Sequence, residues 1–329
     1  MISKACHIIN NMINLPFHFS DHMAENLDLS SKLRTKILIT PLSPRKELKL
    51  RWEANLEKIY WGLTLADNPL SKKQMAKMLT ASESKKMSNS QKEVVAYKNT
   101  LDHIRNNWTG SREILTTKDI LNIYDISSKK VFGSTTSYFK SKESEVLEIL
   151  KYIESGNDHP IIKAGLLQIE IIQLSPFENA TGRVARLLSH LVLAQHGYDL
   201  RGLLVLEDYY RSDLTSFKKA SKSIGLHSSA TIWLEYFSLG VLKGMEKTLA
   251  NIQNNKTQNL ISTSYWKINE RLEKIINYLE NPNKKITNKD VQKQFGVSQI
   301  TASRDLAKLT SMGILLTHGK GRSVSYTKI

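Results

Sequence analysis

The chain has 329 residues, of which 40% are apolar and 24% charged, the balance of a globular protein with room for two or three domains. Its one cysteine, Cys6, excludes an internal disulfide and a cysteine-based zinc site, and no apolar run reaches the roughly 18–20 residues that span a bilayer. Lys and Arg outnumber Asp and Glu by 47 to 31, a net charge of +16, which points to a polyanionic partner or to a solvated basic surface.

The opening "MISKACHIINNMINLPF" is too polar for a signal peptide. With the lone cysteine, it gives the expectation of a cytoplasmic protein. Apolar residues then recur at spacings of three and four in "LEKIYWGLTLA", "VVAYKNTLDHI", "EVLEILKYI", "IIKAGLLQIEIIQL", "RVARLLSHLVLAQHG" and "IWLEYFSLGVLKGM", which predicts a mainly helical chain. Gly197 is placed to end the fifth of these. Strand signals are few: one at "KKVFGSTTSYF", turning at Gly133 and Ser134, and one in the last 17 residues. Trp52, Tyr60 and Trp61 have helical spacing and belong to a core rather than to a base-stacking platform. The nine histidines show no metal-ligand spacing, and His190 and His196, six apart, are packing or surface residues.

"LSPFENATGRVARLL", from Leu174 to Leu188, has the form of an anion-binding turn that opens a helix. Pro176 and Phe177 bring the chain in, Gly182 lets it turn, and Arg183 and Arg186 follow. Backbone amides and the helix dipole favour anions at such a place.

This stretch resembles the motif of the Fic domain, HPFx(D/E)GNGRxxR. The resemblance runs from about Leu48 to Met245. "EVVAYKNTLDHI" is similar to the family's EVxNY helix through Glu93, Val94 and Tyr97, "KKVFGSTTSYF" lies where the family has its target-positioning hairpin, and "EDYYRSDLTSFKKASKS" resembles the helix after the motif. The resemblance implies a Fic-type helical bundle with a small β-hairpin flap, and an activity that moves AMP or another phosphate-containing group onto a protein hydroxyl. In that activity the motif histidine is the general base and the acidic residue holds the metal. Glycine-rich backbone and arginines cradle the phosphates.

Position by position, the chemistry is missing. Ser175 replaces the histidine and Asn179 the acidic ligand, while Ala180 and Thr181 replace Gly-Asn. Pro176, Phe177, Gly182, Arg183 and Arg186 match. A positioned general base contributes typically 10²–10⁴-fold, and a neutral amide is a poor ligand for a hard cation, so no catalytic residue and no metal site is expected. Glu178, one position early, is the nearest acid. Gly182, Arg183, Arg186 and Thr181 are left as candidate ligands for an anion or a nucleotide such as ATP. The other reading is that the arginines pair with local acids. A second loss sits in "WGLTLADNPLSKKQM", which resembles the family's autoinhibitory helix. There the inhibitory glutamate is Ala66, and the Ser or Thr four positions earlier is Gly62.

The last 65 residues hold 12 basic and 5 acidic side chains, the densest positive charge in the chain. In "ITNKDVQKQFG" Thr287 is set as N-cap and Gly296 as turn residue, and Ser298 is set to cap the helix of "VSQITASRDLAKLTSMG". Ala302, Leu306 and Leu309 share one face of that last helix. A glycine-turned hairpin with His318, Lys320 and Arg322 closes the chain. The pattern resembles the bacterial winged-helix transcriptional regulators. Short polar side chains at a helix start reach base edges in the major groove, and Lys and Arg neutralise phosphates. The DNA-contacting set expected is Ser298, Gln299, Thr301, Ser303, Arg304, Lys308, Lys320 and Arg322.

The domains expected are a helical region over 1–90 with the degenerate inhibitory helix near 52–70, a Fic core over 91–248, a connecting segment over 249–264 and a winged helix over 265–329. The function expected is a homodimeric regulator that binds double-stranded DNA through paired winged helices, its Fic domain serving as dimerisation scaffold, ligand sensor or both. The alternatives are an active protein adenylyltransferase with a non-standard motif, and an antitoxin-like partner of a separate enzyme.

Overall fold

Every long period-3.6 segment of the sequence lies on a helix. A computed structural model of the chain describes residues 15–80, 86–254, 269–279, 284–312, 314–319 and 324–328. They fall into two compact units. One is built from Met1–Pro41 with Glu53–Thr257, the other from Leu42–Trp52 with Gln258–Ile329. Among the described residues no helix is long and apolar enough to cross a membrane.

Among its described residues the larger unit holds helices and connecting turns but no strand. In chain order come α1 (Asp21–Ile39), α2 (Pro44–Thr64, entering this unit at Glu53), α3 (Lys72–Thr80), α4 (Asn89–Trp108), α5 (Thr117–Ser127), α6 (Lys129–Phe132) and α7 (Thr136–Lys140). They are followed by α8 (Glu143–Ser155), α9 (Pro160–Leu174), α10 (Thr181–Gln195), α11 (Glu207–Ser212), α12 (Leu214–His227) and α13 (Thr231–Gln253). Side-chain caps mark the starts: Ser20 on α1, and capping boxes from Ser88 with Gln91 on α4 and Thr116 with Asp119 on α5. Pro160 supplies a preset φ at the first turn of α9.

Hydrophobic burial centres on α9 and α10. Helix α9 is apolar around most of its circumference and is packed by α8, α10 and α13, as a helix hydrophobic all round must be. Its Gly165 is where α13 comes closest: Trp233 Nε1 donates to the Gly165 carbonyl at 2.8 Å, and a Cβ there would lie 2.9 Å from the Phe237 ring.

The β-hairpin expected at "KKVFGSTTSYF" does not form. Two short helices, α6 and α7, flank Gly133, whose φ is +85°. Val, Thr, Tyr and Phe read as strand formers, but the residues buried are Thr135 and Phe139. A spacing of four puts both on one side of a helical turn, and burial overrides propensity.

The smaller unit holds α14 (Glu270–Tyr278), β1 (Ile286–Thr287), α15 (Asn288–Phe295), α16 (Gln299–Ser311), β2 (Leu315–His318) and β3 (Ser325–Lys328). The strands form one antiparallel sheet in the order β1-β3-β2, with Ile286 opposite Tyr326 and His318 opposite Ser325. Thr287 and Asp290 form a capping box on α15, Gly296 turns at φ +61°, and Ser298 caps α16, as the sequence predicts. Ala302, Leu306 and Leu309 are fully buried with Ile275, Ile286 and Val291, and Leu48 packs in the same core. Arg271 fixes α14 to α16 by a forked pair with Asp305, at 2.6 and 3.3 Å. This is a winged helix-turn-helix. Lys320 and Arg322 of the expected DNA-contacting set, and residues 255–264 of the expected connecting segment, lie outside the described residues.

Candidate functional site

The loop between α9 and α10 carries the motif. Helix α9 stops because Ser175 turns into the left-handed region, φ +47° and ψ +60°, while its N–H still bonds the Ile171 carbonyl at 3.0 Å. Pro176 and Phe177 then turn inward and are buried. The Phe177 ring stacks on Tyr124 at 4.9 Å and on Phe139 at 5.5 Å, so α5 and α7 clamp the loop. Glu178 and Asn179 are exposed, and the Glu178 N–H faces Thr135 Oγ1 at 3.4 Å.

The turn into α10 is made by Ala180, at φ +62°, and not by Gly182. Gly182 already lies inside the helix, where an added Cβ would only touch Arg186 Nη1 at 3.5 Å. The left-handed conformation thus falls on a residue with a Cβ, which costs on the order of 1 kcal/mol.

Among the described residues no base is hydrogen-bonded to Ser175. Its hydroxyl lies 3.4 Å from Thr181 Oγ1, which itself donates to the Phe177 carbonyl at 3.0 Å. Among the described residues no three His, Cys, Asp or Glu side chains are grouped to hold a metal ion. Asn179 offers a neutral amide, so the loop does not fit the divalent cation that the Fic reaction uses.

The two arginines are drawn into the protein. Arg183 is 3% and Arg186 5% exposed. Arg183 Nη2 donates to Glu93 Oε1 at 2.7 Å, and its guanidinium lies 5.5 Å from the Phe132 ring centroid. Arg186 Nη2 donates to the Gly62 carbonyl at 3.0 Å. Glu93 also accepts from Asn68 Nδ2 at 2.6 Å, and Asn68 Oδ1 receives the Leu70 N–H at 3.1 Å. The "NPLS" turn is therefore tied to Arg183 through Glu93. Ala66 is exposed. Gly62 accommodates the phenol of α4, since a Cβ there would meet Tyr97 Oη at 2.5 Å.

Behind this lies a polar cluster that sequence reasoning missed. Glu207 is fully buried and accepts from Tyr97 Oη at 3.1 Å, with His190 Nε2 at 2.8 Å. Burial alone would raise its pKa, but His190 and Lys58 hold it well below the usual carboxylate range. Burial, with Glu207 alongside, pushes the Tyr97 phenol well above its ordinary value. His190 is thus a buried hydrogen-bond partner of Glu207. Its i, i+4 neighbours gave no sign of this, because Glu207 sits beyond the end of α10.

In the smaller unit, Gln299, Ile300, Ser303, Arg304 and Ala307 form the exposed strip of α16. Thr301 and Lys308 flank it, half-buried. Ser298 Oγ accepts the Thr301 N–H at 3.2 Å and lies 3.0 Å from its hydroxyl. Asn288 Nδ2 donates to Ser303 Oγ at 2.7 Å, joining the start of α15 to the strip.

Residues 271–328 match the DeoR-like helix-turn-helix domain. No curated protein matches the chain. Among solved structures, a Fic family protein from Desulfovibrio desulfuricans G20 superposes with a TM-score of 0.61 at 14% identity, over 96% of this chain and 98% of that one. The chain has the Fic-family fold. Fic-1 from C. elegans is similar over 69% of this chain and 71% of that chain, at 16% identity and TM-score 0.59. A Fic domain-containing signaling protein from Bacteroides thetaiotaomicron VPI-5482 is similar over 71% of this chain and all of that one, at 17% identity and TM-score 0.57.

Proposed function

We propose that this protein is a transcription regulator that binds double-stranded DNA through its winged helix, and that its Fic-fold unit no longer transfers nucleotides. The carrying observation is the exposed α16 strip with Gln299, Ser303 and Arg304 at the start of a DeoR-like recognition helix. A major groove admits one helix, and such side chains reach base edges from its first turns. The positive charge of the same region supports phosphate contact.

Three losses support the second half of the reading. No base among the described residues is hydrogen-bonded to Ser175, Asn179 is no hard-cation ligand, and Arg183 is already neutralised by Glu93. The Fic-fold unit then acts as a scaffold that pairs two chains over two half-sites. A nucleotide could bind only by displacing Glu93 or the Gly62 carbonyl from the arginines.

Binding to DNA from upstream of its own gene, against a scrambled duplex and across a salt series, tests this. Specific binding that survives about 150 mM salt and is lost in Arg304→Ala is expected. Equal, salt-fragile binding to both duplexes overturns the regulator reading. Incubation with α-labelled ATP is expected to label no protein. Labelling by the wild type that Arg183→Ala abolishes overturns the claim of lost transfer.

A further inference from the structure

Among the described residues of the smaller unit, one large apolar side chain is left exposed. It is Ile300, 65% exposed. Lone apolar side chains on a surface are ordinary, and position decides here. Ile300 is the second residue of α16 and sits inside the strip that Gln299, Ser303 and Arg304 complete. Every other large apolar residue described on this helix is used: Leu306 and Leu309 are fully buried.

The short hydroxyls of the strip are partly engaged. Ser298 Oγ accepts the Thr301 N–H and Ser303 Oγ accepts from Asn288, which leaves each short hydroxyl with its own hydrogen to donate. Gln299, Ile300 and Arg304 are the long side chains that project from the first turn and a half. A butyl side chain can make no hydrogen bond, and facing a guanine, a cytosine or an adenine edge it would strip water from polar atoms without return. The major groove offers one apolar feature, the C5 methyl of thymine.

We infer that Ile300 is a specificity-determining residue that packs on a thymine methyl group in the operator. This rests on the regulator reading above. It assigns the sequence preference at one position to a hydrophobic contact, while Gln299 and Arg304 supply polar and charged ones. Removing one buried methyl then costs about four-fold in affinity.

The test uses the full-length chain. Duplexes enriched from a random pool give the preferred site, and each thymine in it is then replaced singly by deoxyuridine, which deletes only the methyl. We expect one thymine per half-site where deoxyuridine weakens wild-type binding about four-fold. The same exchange is silent with Ile300→Ala and retained in part with Ile300→Val. A site with no methyl-sensitive thymine, or a methyl effect that persists in Ile300→Ala, overturns the contact and leaves the regulator reading standing. Enrichment of no sequence overturns the regulator reading itself, and the contact with it.

Discussion

Ala180 holds φ at +62° with a side chain that disfavours it. Ala180→Gly relieves that strain but loosens the unfolded chain, so the net gain is about 0.5–1 kcal/mol. A higher midpoint of urea unfolding with an unchanged slope is the expected result. Glu170, 3% exposed on α9, has an Oε1 without a hydrogen-bond partner among the described residues, and burial pushes its pKa up to about 7 against partial relief from the Leu15 backbone. A carboxyl whose pKa is higher in the fold than in the unfolded chain holds its proton more tightly when folded. Its favourable share is therefore full below about pH 4.5, declines as pH rises, and is gone above about pH 7. The span corresponds to roughly 3 kcal/mol. Glu170→Gln should flatten the fall in thermal stability between those limits. A wild-type melting temperature that does not fall across that range would show that the carboxyl is solvated.

Between elements, the Arg183–Glu93 pair joins α10 to α4, with side-chain exposures of 2% and 12%. Breaking it by Glu93→Ala strands a buried guanidinium and should cost roughly 3 kcal/mol by denaturant unfolding. A loss under 1 kcal/mol would mean that water or another carboxylate replaces Glu93. The packing of α2 on α4 is equally exacting. Gly62→Ala sets a methyl against Tyr97 Oη, and overpacking of that kind costs about 1–3 kcal/mol. The phenol cannot swing away easily, since Glu207 holds it. Tyr97→Phe in the same background should recover part of the loss by removing the atom that is struck.

Across the whole molecule, much of this was legible in the sequence, for reasons that differ by region. The winged helix announced itself through local chemistry: Thr287, Gly296 and Ser298 each act within three or four residues. The helical bundle followed from apolar period, and the motif loop from its residues. The flap did not, because Phe139 packs on Phe177 and Thr135 faces the Glu178 N–H, partners that composition cannot name. Nor did the pairing of Arg183 with Glu93, 90 positions away, or of His190 with Glu207. A local reading offered neighbouring acids, whereas the fold supplied distant ones. The Gly182 turn was misplaced by two residues because glycine is the usual bearer of positive φ, and here alanine bears it.

The Phe132 ring over Arg183 has a consequence in time. It is 40% exposed and belongs to α6, a helix of four residues. Any anion bound for that guanidinium must wait until ring and Glu93 give way. Its arrival is then clocked by the protein, and the observed rate should level off as ligand concentration rises.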